Sequence, residues 1–202
     1  MHYTLNSLIY RNIIDPILSS YYSNITDEIN AGEKVIDIAS GTGSLGLAIA
    51  GKGTDLTGID LSEEMVEIAG RLAEKRGVVN AVFLLRDAGE LSAYTDNEFD
   101  VAVTSMAVHQ FDEDLAVKIL KEMKRIAGRI IIMDYNHPIK KFFPRIVVWT
   151  IERIAGGDHY RNFRKYNRLK GVDHFIEKAG LKITSEKLSE KSTFRVVLAQ
   201  VQ

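Results

Sequence analysis

The stretch Val35-Ile36-Asp37-Ile38-Ala39-Ser40-Gly41-Thr42-Gly43-Ser44-Leu45-Gly46 decides the fold. It reads as a buried strand that stops at a glycine turn and opens straight into a helix. Glycines at positions 41, 43 and 46 put no Cβ in the way of a ligand and accept φ > 0 without penalty. Alone, such a loop says only that a nucleotide-like ligand meets a strand–helix turn. Two later features narrow it. Asp60 ends the next apolar run, Leu56-Thr57-Gly58-Ile59-Asp60, and Asp87 ends the one after, Val82-Phe83-Leu84-Leu85-Arg86-Asp87. Three successive strand ends thus carry a glycine loop or an acid. In an open parallel sheet those ends lie side by side along the edge where ligands bind.

Working outward, apolar runs predict strands near 34–39, 54–59, 81–86, 99–105 and 128–134, with helices near 44–51, 62–76 and 112–127. Ser62 is a good N-cap, and Glu63 and Glu64 suit the positive end of the helix that follows. Alternation of this kind argues for an α/β fold, a Rossmann-like doubly wound sheet with right-handed crossovers. A helix near 171–179 ends at Gly180. Two final runs, 181–188 and 193–201, flank Ser189-Glu190-Lys191-Ser192 and read as a C-terminal antiparallel hairpin, which makes seven strands. Residues 1–31 read as an N-terminal helical cap rich in tyrosine, and 137–170 as a helical insertion. The 202 residues are expected to form one domain.

Composition removes several classes of chemistry. Cysteine is absent, so disulfides, thiolate metal sites and cysteine nucleophiles are excluded. A net charge of -1 gives no global pull toward nucleic acid. No signal peptide or membrane-spanning run stands out, and the expected location is the cytoplasm. The spacing of His, Asp and Glu shows no metal-binding cluster, so no metal site is expected.

With these strand ends and the hairpin in view, the chain resembles the class I S-adenosylmethionine (SAM) dependent methyltransferases, most of all the small-molecule enzymes of the ubiquinone/menaquinone-biosynthesis type. Val35 to Gly46 is similar to the first family motif, Gly58 to Met65 to the second, Leu85-Arg86-Asp87-Ala88 to the third, and Asn97 to Phe111 to the fourth. Ala39 and Ser40 stand where the family often has Gly and Cys. The usual Pro-Gly-Gly before the fifth strand is reduced to Ala127-Gly128-Arg129, a shortened loop.

The resemblance implies SAM as cofactor and S-adenosylhomocysteine as product. It implies that Ala39, Ser40, Gly41 and Gly43 make room for the amino-acid tail, with backbone N–H groups for its carboxylate. Asp37 would face the ammonium and Asp60 would accept the ribose hydroxyls. Leu61 and Met65 would flank the adenine, Asp87 would accept from its amino group, Ala88 would meet the ring, and Ser105 would line the cleft. A general base is needed where the acceptor must lose a proton. His109 after the fourth strand and His137 after the fifth are candidates, with Tyr135 beside the latter.

The segment 137–170 holds nine Lys/Arg against two acids, Glu152 and Asp158, with six interleaved aromatics. It is expected to lie over the acceptor site as a lid, hinged at Gly156-Gly157, and Tyr3, Tyr10, Tyr21 and Tyr22 to close the opposite side. A basic, aromatic, amphipathic segment suits an anionic acceptor, a membrane surface carrying a lipophilic one, or RNA. The small-molecule acceptor, methylated at carbon or oxygen, is the expectation. An RNA methyltransferase or a non-catalytic SAM-binding protein are the rivals. A nicotinamide dehydrogenase fits less well, because its glycine spacing differs and Asp37 has no place in it. The sequence indicates no oligomeric state.

Overall fold

The computed structural model describes residues 15–190 and 192–201. The strands are β1 (Lys34–Ile38), β2 (Asp55–Asp60), β3 (Ala81–Leu85), β4 (Phe99–Ser105), β5 (Ala127–Tyr135), β6 (Leu181–Leu188) and β7 (Phe194–Val201). The helices are α1 (Asp15–Ser19), α2 (Ser23–Thr26), α3 (Ser44–Ala50), α4 (Glu63–Arg76), α5 (Glu113–Ile126), α6 (Phe142–Ala155), α7 (Gly157–Arg168) and α8 (Val172–Lys178), with a short 3-10 turn at Val108–Gln110. Residues 1–14 of the expected helical cap, Tyr3 and Tyr10 among them, lie outside the described residues.

The seven strands form one sheet in the order β3-β2-β1-β4-β5-β7-β6. β1 to β5 pair in parallel, and β7 runs antiparallel between β5 and β6. This is the Rossmann-like doubly wound architecture, with the antiparallel pair where the hairpin was expected. Helices cover both faces, so the central strands read as unbroken apolar runs. Val35, Ile36, Ile38, Val101, Val103 and Ile131 are fully buried. The order reverses between β1 and β4, which opens a crevice beyond their C-terminal ends.

Local chemistry sets the helix ends. The Ser62 side chain accepts from the Met65 N–H at 3.4 Å, and Gly77 closes α4 in the left-handed region at φ 66. Asp112 caps α5 by accepting from the Leu115 N–H at 3.0 Å. One connection differs from expectation. The shortened loop before the fifth strand is no loop at all: α5 ends at Ile126 and β5 begins at Ala127, already extended at φ -137 and ψ 146.

The insertion forms α6 and α7, joined where Gly156 and Gly157 both take positive φ (69 and 52). Its aromatics divide. Phe163 and Tyr166 are buried core residues, while Phe142 and Phe143 are 60% and 78% exposed. Asn162 donates to the Gln110 carbonyl at 2.8 Å, which docks α7 on the turn after β4.

Candidate functional site

β1 delivers Asp37 to the crevice, and the chain then turns sharply. Ala39, Gly41 and Gly43 all sit at positive φ (57, 54 and 74). The Asp60 carboxylate braces this turn. It accepts from the Gly41 N–H at 2.8 Å and from the Ser62 N–H at 2.9 Å. The Gly41 N–H is therefore already engaged by Asp60. Burial raises the Asp60 pKa, and the N–H bonds from Ser62, Gly41 and Leu61 oppose that rise. Gly43 answers to packing: a Cβ there would lie 2.7 Å from the Ala69 Cβ and 2.8 Å from the Phe83 ring.

Asp37 is 1% exposed, and its Oδ2 has no hydrogen-bond partner. Such an orphan is costly unless a ligand completes it. Burial, and then the nearby Asp60 charge, pushes its pKa up to about 8. Asp37, Ala39, Ser40, Thr42, Leu45 and Ser105 line a small cavity that Asp15, Tyr22 and Ser44 close. Asp15 accepts from the Thr42 hydroxyl at 2.5 Å and from the Ser44 hydroxyl at 2.9 Å. Burial raises its pKa, against those two hydroxyls. Burial, with the Asp15 and Asp37 charges, raises that of Tyr22.

Along the edge from this cavity, apolar side chains stand open. Leu61 is 72% exposed and Leu85 56%. Met65 and Ala88 are half-buried. Asp87 is exposed, and its Oδ1 accepts from the Gly89 N–H at 2.7 Å.

The candidates for proton transfer separate. His109 is 1% exposed. Its Nδ1 lies 2.7 Å from Asp134 Oδ1 and its Nε2 3.5 Å from Glu152 Oε1. Burial works to lower the His109 pKa, but the two carboxylates prevail and raise it to about 10. The carboxylates on either side favour the protonated ring. Tyr135 turns its hydroxyl inward to Glu152 Oε1 at 2.8 Å. Burial would raise the Glu152 pKa, but His109 and His159 hold it well below the usual carboxylate range. His137, at the end of β5, is half-buried. Burial, and then the charge of Lys170, lowers its pKa from 6.5, against an opposing pull from Asp173.

Sequence reasoning missed Asp15, Asp134, Glu152 and His159. An acid ending the apolar run Ile130-Ile131-Ile132-Met133 was the available signal for Asp134, and a lone acid in the basic α6 was the one for Glu152. Residues 109, 152 and 159 come from three elements, so no linear spacing announces them.

The strand order, the glycine turn and the acids at the ends of β1 and β2 define a class I methyltransferase cleft. Comparison with known proteins agrees. The family model described as a methyltransferase domain matches residues 29–188. An uncharacterised methyltransferase of Bacillus subtilis is 32% identical over 183 residues, which cover 80% of this chain and 71% of the relative. A ubiquinone biosynthesis O-methyltransferase of Acinetobacter baylyi is 26% identical over 76% of this chain and 65% of its own length. A SAM-dependent methyltransferase structure from Aquifex aeolicus superposes with a TM-score of 0.68 at 20% identity, covering 90% of this chain and 89% of that one. The chain belongs to the methyltransferase domain family, and it is a SAM-dependent methyltransferase.

Proposed function

We propose that the cavity beside Asp37 seats the amino-acid end of SAM, and that the enzyme methylates a small lipophilic or anionic acceptor at carbon or oxygen. The observation that carries the cofactor seat is the buried, unpartnered Asp37 Oδ2 in a cavity rimmed by hydroxyls. A cationic ammonium would complete that atom with a hydrogen bond and would also balance the buried charge of the ionised carboxylate. When bound, SAM supplies an activated methyl group on a sulfonium.

The chain's own residues then position and exclude. Asp60 would offer its remaining acceptor capacity to the ribose hydroxyls while it holds the glycine turn through Gly41 and the start of α4 through Ser62. Leu61, Met65 and Leu85 offer apolar area to the adenine, and Asp87 with Ala88 offers its polar edge. Ala39, Ser40 and Ser105 shape the cavity wall. In-line transfer needs little beyond such alignment. His137 is the better base of the candidate pair, because its lowered pKa keeps it neutral near pH 7. His109 and Tyr135 act on position, through Glu152.

The acceptor side is read from α6. Phe142, Phe143, Ile146, Val147 and Ile154 are exposed on one helix, with Lys140, Lys141, Arg145 and Arg153 around them. An exposed apolar helix face with basic flanks suits the surface of an anionic bilayer, where a lipophilic acceptor would be met. No helix among the described residues is long and apolar enough to cross a membrane. The names of relatives from quinone biosynthesis support the same class.

Two experiments test this. Calorimetric titration should show micromolar binding of SAM and S-adenosylhomocysteine and none of NADH. The enzyme would then be incubated with methyl-labelled SAM and a lipid extract, a water-soluble extract or bulk tRNA. Label in the organic phase is the expected result. Label in tRNA would install the RNA reading, and SAM binding with no labelled product would install the non-catalytic one.

A further inference from the structure

We propose that His109, Glu152 and His159 form a binding site for a divalent transition-metal cation, which clasps both lid helices to the turn after β4. Candidate ligand atoms on these three side chains lie within 4.8 Å of one another. They arrive from the 3-10 turn, from α6 and from α7, so one ion would tie three elements that sequence keeps apart.

The donor set chooses the ion. Two imidazole nitrogens and one carboxylate suit zinc, cobalt or nickel, whereas calcium and magnesium want oxygen ligands. Three protein ligands of this kind leave a fourth position open.

The surroundings are already arranged as they are around metal-bound histidines. Asp134 Oδ1 holds His109 Nδ1 at 2.7 Å, which aims Nε2 into the group. Tyr135 donates to Glu152 Oε1 at 2.8 Å and steadies that carboxylate. Glu152 is 2% exposed, and its Oε2 has no hydrogen-bond partner even though His159 Nε2 lies only 2.7 Å away. The two atoms are close, but no N–H points along the line between them. A cation accepts lone pairs from both, which a misdirected proton cannot do.

Ligand atoms about 2.1 Å from a tetrahedral ion stand roughly 3.4 Å apart. The 3.5 Å between His109 Nε2 and Glu152 Oε1 fits that span. His159, whose side chain is 30% exposed, lies two residues beyond the Gly156-Gly157 joint, and its Nε2, now 2.7 Å from Glu152 Oε2, must draw back from that oxygen to share an ion with it.

The test uses the full chain, untagged and stripped with a chelator. Co²⁺ is titrated by visible absorption and Zn²⁺ by calorimetry. One equivalent should bind, with the absorption of a four- or five-coordinate cobalt site. His159→Ala should weaken binding at least tenfold, and His159→Gln should do the same while keeping a polar side chain there. His174→Ala, which alters a histidine paired with Glu113 elsewhere, should bind as the parent does. Circular dichroism checks that each variant is folded. Lack of saturable binding, or parental affinity in both folded His159 variants, would overturn the site and leave a buried ion-pair network. Neither readout requires methyl transfer.

Discussion

Gly58 of β2 and Phe83 of β3 are register partners, and the Phe83 ring occupies the space a Gly58 side chain would need. A Cβ at Gly58 would lie 2.6 Å from Phe83 Cε1. The same ring also crowds Gly43. One phenyl group therefore accounts for glycines on two walls of the cleft, as a packing demand rather than a ligand's.

Overpacking at this point should be measurable. Gly58→Ala is expected to cost about 1–3 kcal/mol of stability. Combined with Phe83→Ala, the loss should fall short of the sum of the two single losses, because the second change vacates the space the first needs. Urea denaturation of the four proteins gives the coupling. Strict additivity would mean that the ring and the glycine do not compete.

Asp60→Ala should weaken SAM binding about tenfold or more, since hydrogen bonds to a charged acceptor are worth ~1.5–3 kcal/mol. It also releases the Gly41 and Ser62 N–H groups, so the glycine turn should loosen with it. Calorimetry reads the affinity. An unchanged dissociation constant would remove Asp60 from the cofactor site.

With Asp37 against the cofactor ammonium, as proposed, cofactor binding should depend on pH. Its folded pKa of about 8 lies above its ordinary value of 3.8, so the folded protein holds a proton that the unfolded chain loses. That contribution to stability is fully present below 3.8 and is lost as pH rises through 8. An ion pair with the cofactor ammonium requires the ionised form. Binding below pH 8 must then release a proton, and affinity should climb from pH 6 toward 8, by up to about tenfold per unit. Asp37→Asn should flatten the slope. A parental affinity that does not change over this range would show that Asp37 is already ionised or makes no such pair.

Ala39 sits at φ 57, a region that costs an L-residue with a Cβ about 1–2 kcal/mol. The extra freedom glycine has in the unfolded chain returns part of that. Ala39→Gly should therefore gain about 0.5–1 kcal/mol, read as a melting temperature higher by a few degrees. A lower melting temperature would mean that Ala39 contacts in the cleft outweigh the strain.

Much of the frame was legible in the sequence because the signals were local. The apolar run around 128–134 marked a buried strand, Ser62 marked the start of a helix, and Asp37 and Asp60 flanked a glycine turn. What the sequence hid was tertiary. Asp15 reaches Thr42 and Ser44 across 27 and 29 residues, and nothing in its own neighbourhood hints at this. His109 carried the right residue type for a base, but its direction depended on Asp134 and Glu152, which drew it into the interior. The aromatics of the 137–170 insertion looked alike in sequence, yet packing buried Phe163 and left Phe143 in the open.

The placing of β7 between β5 and β6 bears on how the molecule is made. β6 is hydrogen-bonded to the sheet only through β7, although it is synthesised first. As the chain emerges from the ribosome, β5 therefore presents a bare, strongly apolar hydrogen-bonding edge until residues 194–201 arrive. An edge of that kind invites wrong partners. The sheet is completed by insertion of a late strand, and synthesis that stalls shortly before Phe194 would leave the nascent chain at its stickiest.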